Sequence, residues 1–320
     1  MIRHVLLRVL QLIPTLFLAS IVIFFIIVKA PGDPAQITAG PEATPEQLAA
    51  ERARLGLDKP LPFRYAVWLS DVVHLNLGYS LLARRQVTQM IGEAIPQTLR
   101  LALAAMVLSI LIGFPIGILA AVRQNSRLDA VVTGLSSVGL AMPSFWLGIL
   151  LIITFSVRFR WLPPSGVGDP DQGSLYNLRY LVMPVVTIAA SNLAVFARFV
   201  RSAMIDSLAA DYVRTARAKG LGQRAVVVRH ALKNAMIPVV TILGLQAGAL
   251  MGGAVVTEQI FVIPGFGRLI VEAVFTRDYP LVQGVVLITA SSYVLINLLV
   301  DVSYTILDPR IRVTGTARGR

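Results

Sequence analysis

Long apolar runs recur along the chain, each bounded by short polar segments, and their length sets them apart from the half-buried stripe of a globular helix. A helix rising about 1.5 Å per residue needs about 20 apolar residues to cross a hydrocarbon core about 30 Å thick. Six runs meet that length: Val9 to Val28, Leu101 to Val122, Val132 to Val157, Leu181 to Val200, Met236 to Val256 and Gly284 to Leu307. The first follows Arg3 and Arg8, as the core of a secretory signal does. It exceeds the about 7–15 apolar residues of such signals, and Pro31 follows the one small residue at which cleavage would fall, Ala30, so it is expected to remain as a span. The pattern predicts an all-α polytopic membrane protein, a single transmembrane domain over residues 1–320 with six spanning helices.

The polar segments carry helices of their own. In the segment 30–97, Pro31-Gly32-Asp33-Pro34 ends the first span, because proline lacks an amide donor and glycine tolerates positive φ. Thr44-Pro45-Glu46-Gln47 then reads as a capping box with proline in the first turn, and Gly56 stands at the other end, which predicts a helix over about 45–55. Phe63 to His74 sets Tyr65, Trp68, Leu69 and Val72 on one helical face, suited to the membrane surface or the mouth of the protein. In the segment 198–235, Ala209 to Lys219 is helical, with Tyr212, Val213 and Ala216 on one side and Arg214, Arg217 and Lys219 around it. Gly220 and Gly222 bracket a turn, and Ala225 to Asn234 resumes the helix. The small residues Ala216 and Gly220 suggest close approach by another surface. Arg198, Arg201 and Lys233, beside the spans, read as topology anchors.

Composition fits this picture and narrows the chemistry. Hydrophobic residues make up 56% and charged ones 14%, against about 25% charged in soluble domains. With the amino terminus inside, the inner segments hold 16 basic and 5 acidic residues and the outer ones 13 and 12. The positive-inside rule therefore puts both termini and the 201–235 loop in the cytoplasm and 30–97 outside. The net charge of +12, which in a soluble protein would raise nucleic acid as a partner, is here a topology signal, and no nucleic acid is expected. There is no cysteine, so disulfides and thiolate sites are excluded, and His4, His74 and His230 are too scattered for a metal cluster. No G-x-x-x-x-G-K-[ST] loop exists to cradle nucleotide phosphates. Gly166-Val167-Gly168-Asp169 matches a short pattern of intramembrane aspartyl proteases, but it lies in a proline-rich polar loop with no second aspartate mid-span. No charge sits in the middle of a span and no internal repeat is evident, which argues against a self-contained secondary carrier. Asn192, Gln246 and Asn297 are the uncharged polar candidates for a pathway or for helix contacts. Gly244, Gly248 and Gly252 recur every four residues, as do Gly113 and Gly117, giving faces where another helix backbone can pack.

Eight stretches, in order and from end to end, resemble the permease subunits of ABC importers of the dipeptide, oligopeptide and nickel group. They are Pro31-Gly32-Asp33-Pro34, Leu55-Gly56-Leu57-Asp58-Lys59-Pro60, Met142-Pro143-Ser144-Phe145-Trp146, Asp211 through Leu221, His230 through Ala235, Pro264 through Leu269, Arg277-Asp278-Tyr279-Pro280 and Asp308 through Arg312. The resemblance implies a type I importer permease fold, a bacterial or archaeal inner-membrane location, and no catalysis by this chain. It implies a docking segment for a cytoplasmic ATPase carried by Tyr212, Val213, Ala216, Lys219, Gly220 and Leu221. Within the general importer pattern E-A-A-x-x-x-G, Arg214 and Thr215 replace the Glu and first Ala, whereas Ala216 and Gly220 keep their places. The implied partners are two ATPase subunits that bind ATP and magnesium, a second and non-identical permease, and an extracytoplasmic substrate-binding protein. The implied cargo is a peptide or related small solute, and this chain is expected to hold no cofactor.

Overall fold

The computed structural model describes residues 2–29 and 32–307. Among these the chain is helical throughout, apart from connecting turns and one antiparallel bridge between Tyr79 and Gln86. The helices are α1 (Ile2–Val28), α2 (Pro34–Ala39), α3 (Pro45–Arg54), α4 (Leu61–Val73), α5 (Val87–Val122), α6 (Arg127–Ala141), α7 (Ser144–Leu151), α8 (Ser174–Ala209), α9 (Asp211–Ala218), α10 (Gln223–Ala225), α11 (Leu232–Ile260), α12 (Phe266–Phe275) and α13 (Tyr279–Leu307). Among the described residues, five helical stretches are long and apolar enough to cross a membrane. A sixth crossing is present if α6 and the helix that follows it count as one.

That sixth candidate corrects the expectation of an unbroken span from Val132 to Val157. α6 ends at Ala141, and α7, continued by a wider π-helical segment Ile152–Arg158, leaves at 98° to it. Pro143 is the cause: its ring drives the preceding residue out of the helical region, and Met142 lies at φ −78°, ψ 120°. Other expected boundaries fall short of the observed helices. α5 starts at Val87 and α8 runs on to Ala209, because a helix continues past the polar residues that end a hydropathic run.

The chain forms two compact units. One contains Leu99–Ile263 and residues 295–307. Its first core gathers Leu101, Met183, Leu250, Phe261 and Ile263. A second core gathers Met204, Val213, Val226, Ala231 and Val239. Here α5 and α8 are nearly in backbone contact: a Cβ on Gly117 would stand 2.7 Å from the Ala197 carbonyl oxygen and 2.9 Å from Val200 Cβ. One on Gly113 would stand 3.1 Å from the Leu193 oxygen. The pair of glycines thus forms the packing face that its spacing predicts.

The other unit contains Leu6–Thr98 and Pro264–Val294. The capping box of α3 forms as read: Gln47 N donates to Thr44 Oγ1 at 3.3 Å and Thr44 N to Gln47 Oε1 at 2.9 Å. Gly56, at φ 64°, closes the helix, with Gly56 N donating to the Ala53 oxygen and Leu57 N to the Arg52 oxygen. Asp33 opens α2 by accepting from Ala35 N at 3.0 Å. Pro31 and the Asp308 to Arg312 stretch lie outside the described residues. The aromatic stripe of α4 packs on α1, with Tyr65 and Trp68 at 5.4 and 5.6 Å from Phe24. The helix α12, absent from the sequence reading, buries Phe266 and Ala273 against Val87, Ile91 and Val285. Asp278, 1% exposed, anchors the approach to α13 by accepting from Ser80 Oγ at 2.5 Å and Leu81 N at 3.2 Å.

Candidate docking elbow and polar contacts within the spans

The six residues expected to dock a partner share one elbow. α8 ends at Ala209, Ala210 is extended at φ −70°, ψ 151°, and α9 leads away, with Asp211 in its first turn and Arg217 in its last. Those charges suit the helix dipole. An exposed Arg214–Asp211 pair at 2.7 Å adds little stability in water. The helix ends in two bonds, Gly220 N to the Arg217 oxygen at 2.9 Å and Leu221 N to the Ala216 oxygen at 3.3 Å. This closure needs a residue with positive φ, and Gly220 has φ 80°.

The two faces of α9 differ. Val213 is fully buried and Ala216 is 5% exposed, both among Met204, Val226 and Ala231 of the same chain. Tyr212 donates its hydroxyl hydrogen to Ser207 Oγ at 2.5 Å, since the Ser207 hydrogen goes to the Ala231 carbonyl at 2.8 Å. α9 is thereby pinned to α8 and to the π-helical segment Val226–Ala231 that leads into α11. Tyr212, Lys219, Gly220 and Leu221 remain exposed. Ala216 packs within its own chain, and Gly220, at φ 80°, stands where the backbone conformation itself favours glycine. Val228, 56% exposed, adds an apolar side chain to the elbow's surface. It escaped notice because it sits within a run of valines whose other members, Val226 and Val227, are buried.

Two of the polar residues within the spans meet. Gln246 Nε2 donates to Asn192 Oδ1 at 2.6 Å, joining α11 to α8, and Asn192 Nδ2 donates to the Ile188 oxygen at 3.3 Å. Asn297 is half-buried on α13 and takes no part in that bond. Gly244 and Gly248 are buried on α11. The surroundings of Gly252 lie outside the described residues.

An ion pair that sequence reasoning missed holds the start of α6. Arg201, read as a topology anchor, grips Asp129 with two prongs: Nε on Oδ1, and Nη2 on Oδ2 at 2.8 Å. Asp129 also accepts from Asn125 N at 2.9 Å, and its own N–H donates to Ser126 Oγ. The pairing of residues 72 apart in sequence leaves no local signal, although an aspartate three residues after Ser126 does mark a helix start. Among the described residues no cluster of three or more metal-ligating side chains occurs.

The sequence profile described as binding-protein-dependent transport system inner membrane component matches residues 113–313, and its amino-terminal companion matches residues 1–102. The probable peptide ABC transporter permease protein y4tP of Sinorhizobium fredii is 40% identical over 309 residues, covering 97% of this chain and 99% of that one. The glutathione transport system permease protein GsiC of Escherichia coli is 42% identical over 312 residues, covering 98% and 99%. In fold, the chain is similar to the MetNI methionine ABC transporter in inward facing conformations, with a TM-score of 0.57 and 16% identity over 69% of this chain and 97% of that one.

Proposed function

The chain belongs to the family of binding-protein-dependent transport inner-membrane components, and we propose that it forms half of a translocation pathway for peptides or related small solutes, driven from its α9 elbow by a separate ATPase. It is a multi-pass inner-membrane protein and a permease subunit of an ABC importer. The peptide cargo follows from the relatives, one a probable peptide permease and one a glutathione permease. The permease itself is not catalytic, so the energy has to enter through a protein contact.

The observation that carries the docking role is the two-sidedness of α9. Its inner face, Val213 and Ala216, is part of the chain's own core, while Tyr212, Lys219 and Leu221 are presented outward. A short helix fixed in this way transmits displacement instead of absorbing it. When two ATPase subunits close on ATP and magnesium, docked elbows move with them, and the pathway shifts between inward and outward opening by a change of population. One chain supplies one elbow, so two ATPase subunits call for a second permease, which we take to be non-identical. An extracytoplasmic binding protein delivers the cargo to the opposite side. In this orientation both termini and the 201–235 segment face the cytoplasm and 30–97 faces outward.

The absence of native cysteine makes the test direct. Leu221→Cys in the assembled transporter should crosslink to an ATPase subunit. Leu221→Asp should abolish uptake while the chain still inserts. Normal uptake by Leu221→Asp, together with no crosslink, refutes the docking role. For orientation, an impermeant maleimide applied from outside should label Ser165→Cys and not Arg217→Cys. The reverse pattern inverts the topology.

A further inference from the structure

The unit formed by Leu6–Thr98 and Pro264–Val294 carries a half-open cavity of about 700 Å³, within the range of small-molecule sites. One wall is apolar and aromatic, built by Phe24 and Ile27 at the end of α1 and by Phe63 and Trp68 on α4. Two of the charges on its lining neutralise each other, as Arg52 Nη2 meets Asp33 Oδ2 at 2.7 Å. Arg64 is different. Its side chain is half-buried at the cavity and, among the described residues, makes neither an ion pair nor a hydrogen bond. Burial holds its guanidinium below the ordinary arginine value, the mark of a cation drawn from water with no counter-charge. Asp58 and Asp71 line the same cavity and, among the described residues, pair with no cation.

An uncompensated guanidinium, unpaired carboxylates and an aromatic wall together suit a molecule with opposite charges at the two ends of an apolar body. We propose that this cavity binds a short peptide with free termini, its carboxylate on Arg64 and its amino group toward Asp58 or Asp71. The choice of a peptide rests on the importer reading above. The membrane offers the same zwitterionic chemistry in a phosphatidylethanolamine headgroup, so the test separates the two sources. On the orientation assigned above, the cavity faces outward, where cargo arrives.

The experiment uses the full chain in phosphatidylcholine nanodiscs with a single cysteine at Val67→Cys, an exposed position on the cavity lining. Trialanine should slow maleimide labelling, and N-acetyl-trialanine amide, which lacks both charges, should not. Arg64→Gln should raise the half-protecting trialanine concentration by about tenfold or more, the worth of a hydrogen bond to a charged group, and Arg64→Lys by less. Equal protection by the free and blocked peptides, or none by either, overturns the proposal without requiring any Arg64 variant to fold. If discs containing phosphatidylethanolamine protect the cysteine and trialanine does not change that protection, the cavity is a lipid site and the proposal also fails. Because binding is read on this chain alone, failure here leaves the importer reading, tested by uptake, standing.

Discussion

Replacing Arg201 with alanine should destabilise the protein more than replacing its partner, Asp129. The Asp129 side chain is nearly enclosed, at 6% exposure, and receives both prongs of the guanidinium together with the Asn125 N–H. In Arg201→Ala that anion keeps one backbone donor and no counter-charge. Breaking a buried pair from one side costs about 3–5 kcal/mol. The Arg201 side chain is itself 26% exposed, so water entering where it stood recovers part of that, and about 2–3 kcal/mol is expected. In Asp129→Ala the freed guanidinium can turn to water, and the loss should be about 1–2 kcal/mol, mostly from the start of α6. The double variant should then be no worse than Arg201→Ala alone, because the stranded carboxylate is gone. Arg201→Lys should recover the charge but not the two-pronged geometry, and fall between wild type and alanine. Thermal or denaturant unfolding of the purified chain in one detergent reads all four. Equal losses in the two single variants that simply add in the double, or an Arg201→Ala within about 0.5 kcal/mol of wild type, would show that the pair is not the buried lock inferred here.

Other substitutions test separate joints of the structure. Gly117→Ala drives a methyl against the Ala197 carbonyl and Val200 and should cost about 1–3 kcal/mol, whereas Gly134→Ala on α6, with nothing within 4 Å, should be neutral or stabilising by up to about 1 kcal/mol. Unfolding of both under the same conditions checks the contrast, and equal effects refute the close approach of α5 to α8. Asn192→Ala should cost roughly 0.6–1.7 kcal/mol, the span of interhelical hydrogen bonds in membranes, and leave uptake largely intact if the Gln246 bond serves helix contact. Unchanged stability with lost uptake assigns Asn192 to the pathway instead. Asp278→Ala strands Ser80 Oγ and the Leu81 and Leu281 N–H groups and should cost about 2–4 kcal/mol, seen as faster proteolysis or a lower unfolding midpoint.

What the sequence disclosed depended on how far apart the interacting residues lie. Thr44, Gln47 and Gly56 set their helix by contacts within a few residues, so both ends of α3 were legible. The packing face of Gly113 and Gly117 was legible for the same reason, since spacing along one helix defines it. The stripe of Tyr65 and Trp68 was visible, but Phe24, which covers it, is more than forty residues away, and a stripe facing another helix has the same periodicity as one facing lipid. The α6–α7 break was in view as Pro143, but the apolar run continues across it, and length alone counts such a run as one span. α12 was overlooked although Phe266, Leu269, Ile270 and Ala273 repeat at helical spacing, because ten residues do not make a span. At the elbow, composition located the segment but not which way its residues face. A small residue tolerates another surface equally well whether that surface belongs to the chain or to a partner, so Ala216 alone could not tell the two apart.

That ambiguity at Ala216 bears on how the elbow works. If Val213 and Ala216 were the partner's contacts, α9 would hang from α8 by the extended Ala210 alone and could swing without moving the spans. Their burial, and the chain of bonds from Tyr212 through Ser207 to the Ala231 carbonyl, fix it to α8 and to the lead of α11 together. Those two helices are joined again along their length by Gln246 and Asn192, and α8 in turn lies against the glycine face of α5. A displacement imposed at Leu221 therefore reaches three long helices through contacts with little slack: close-packed backbone, a buried polar pair and a hydroxyl relay. Close-packed contacts of this kind switch between discrete arrangements rather than stretch, which is what the drive proposed for the elbow requires.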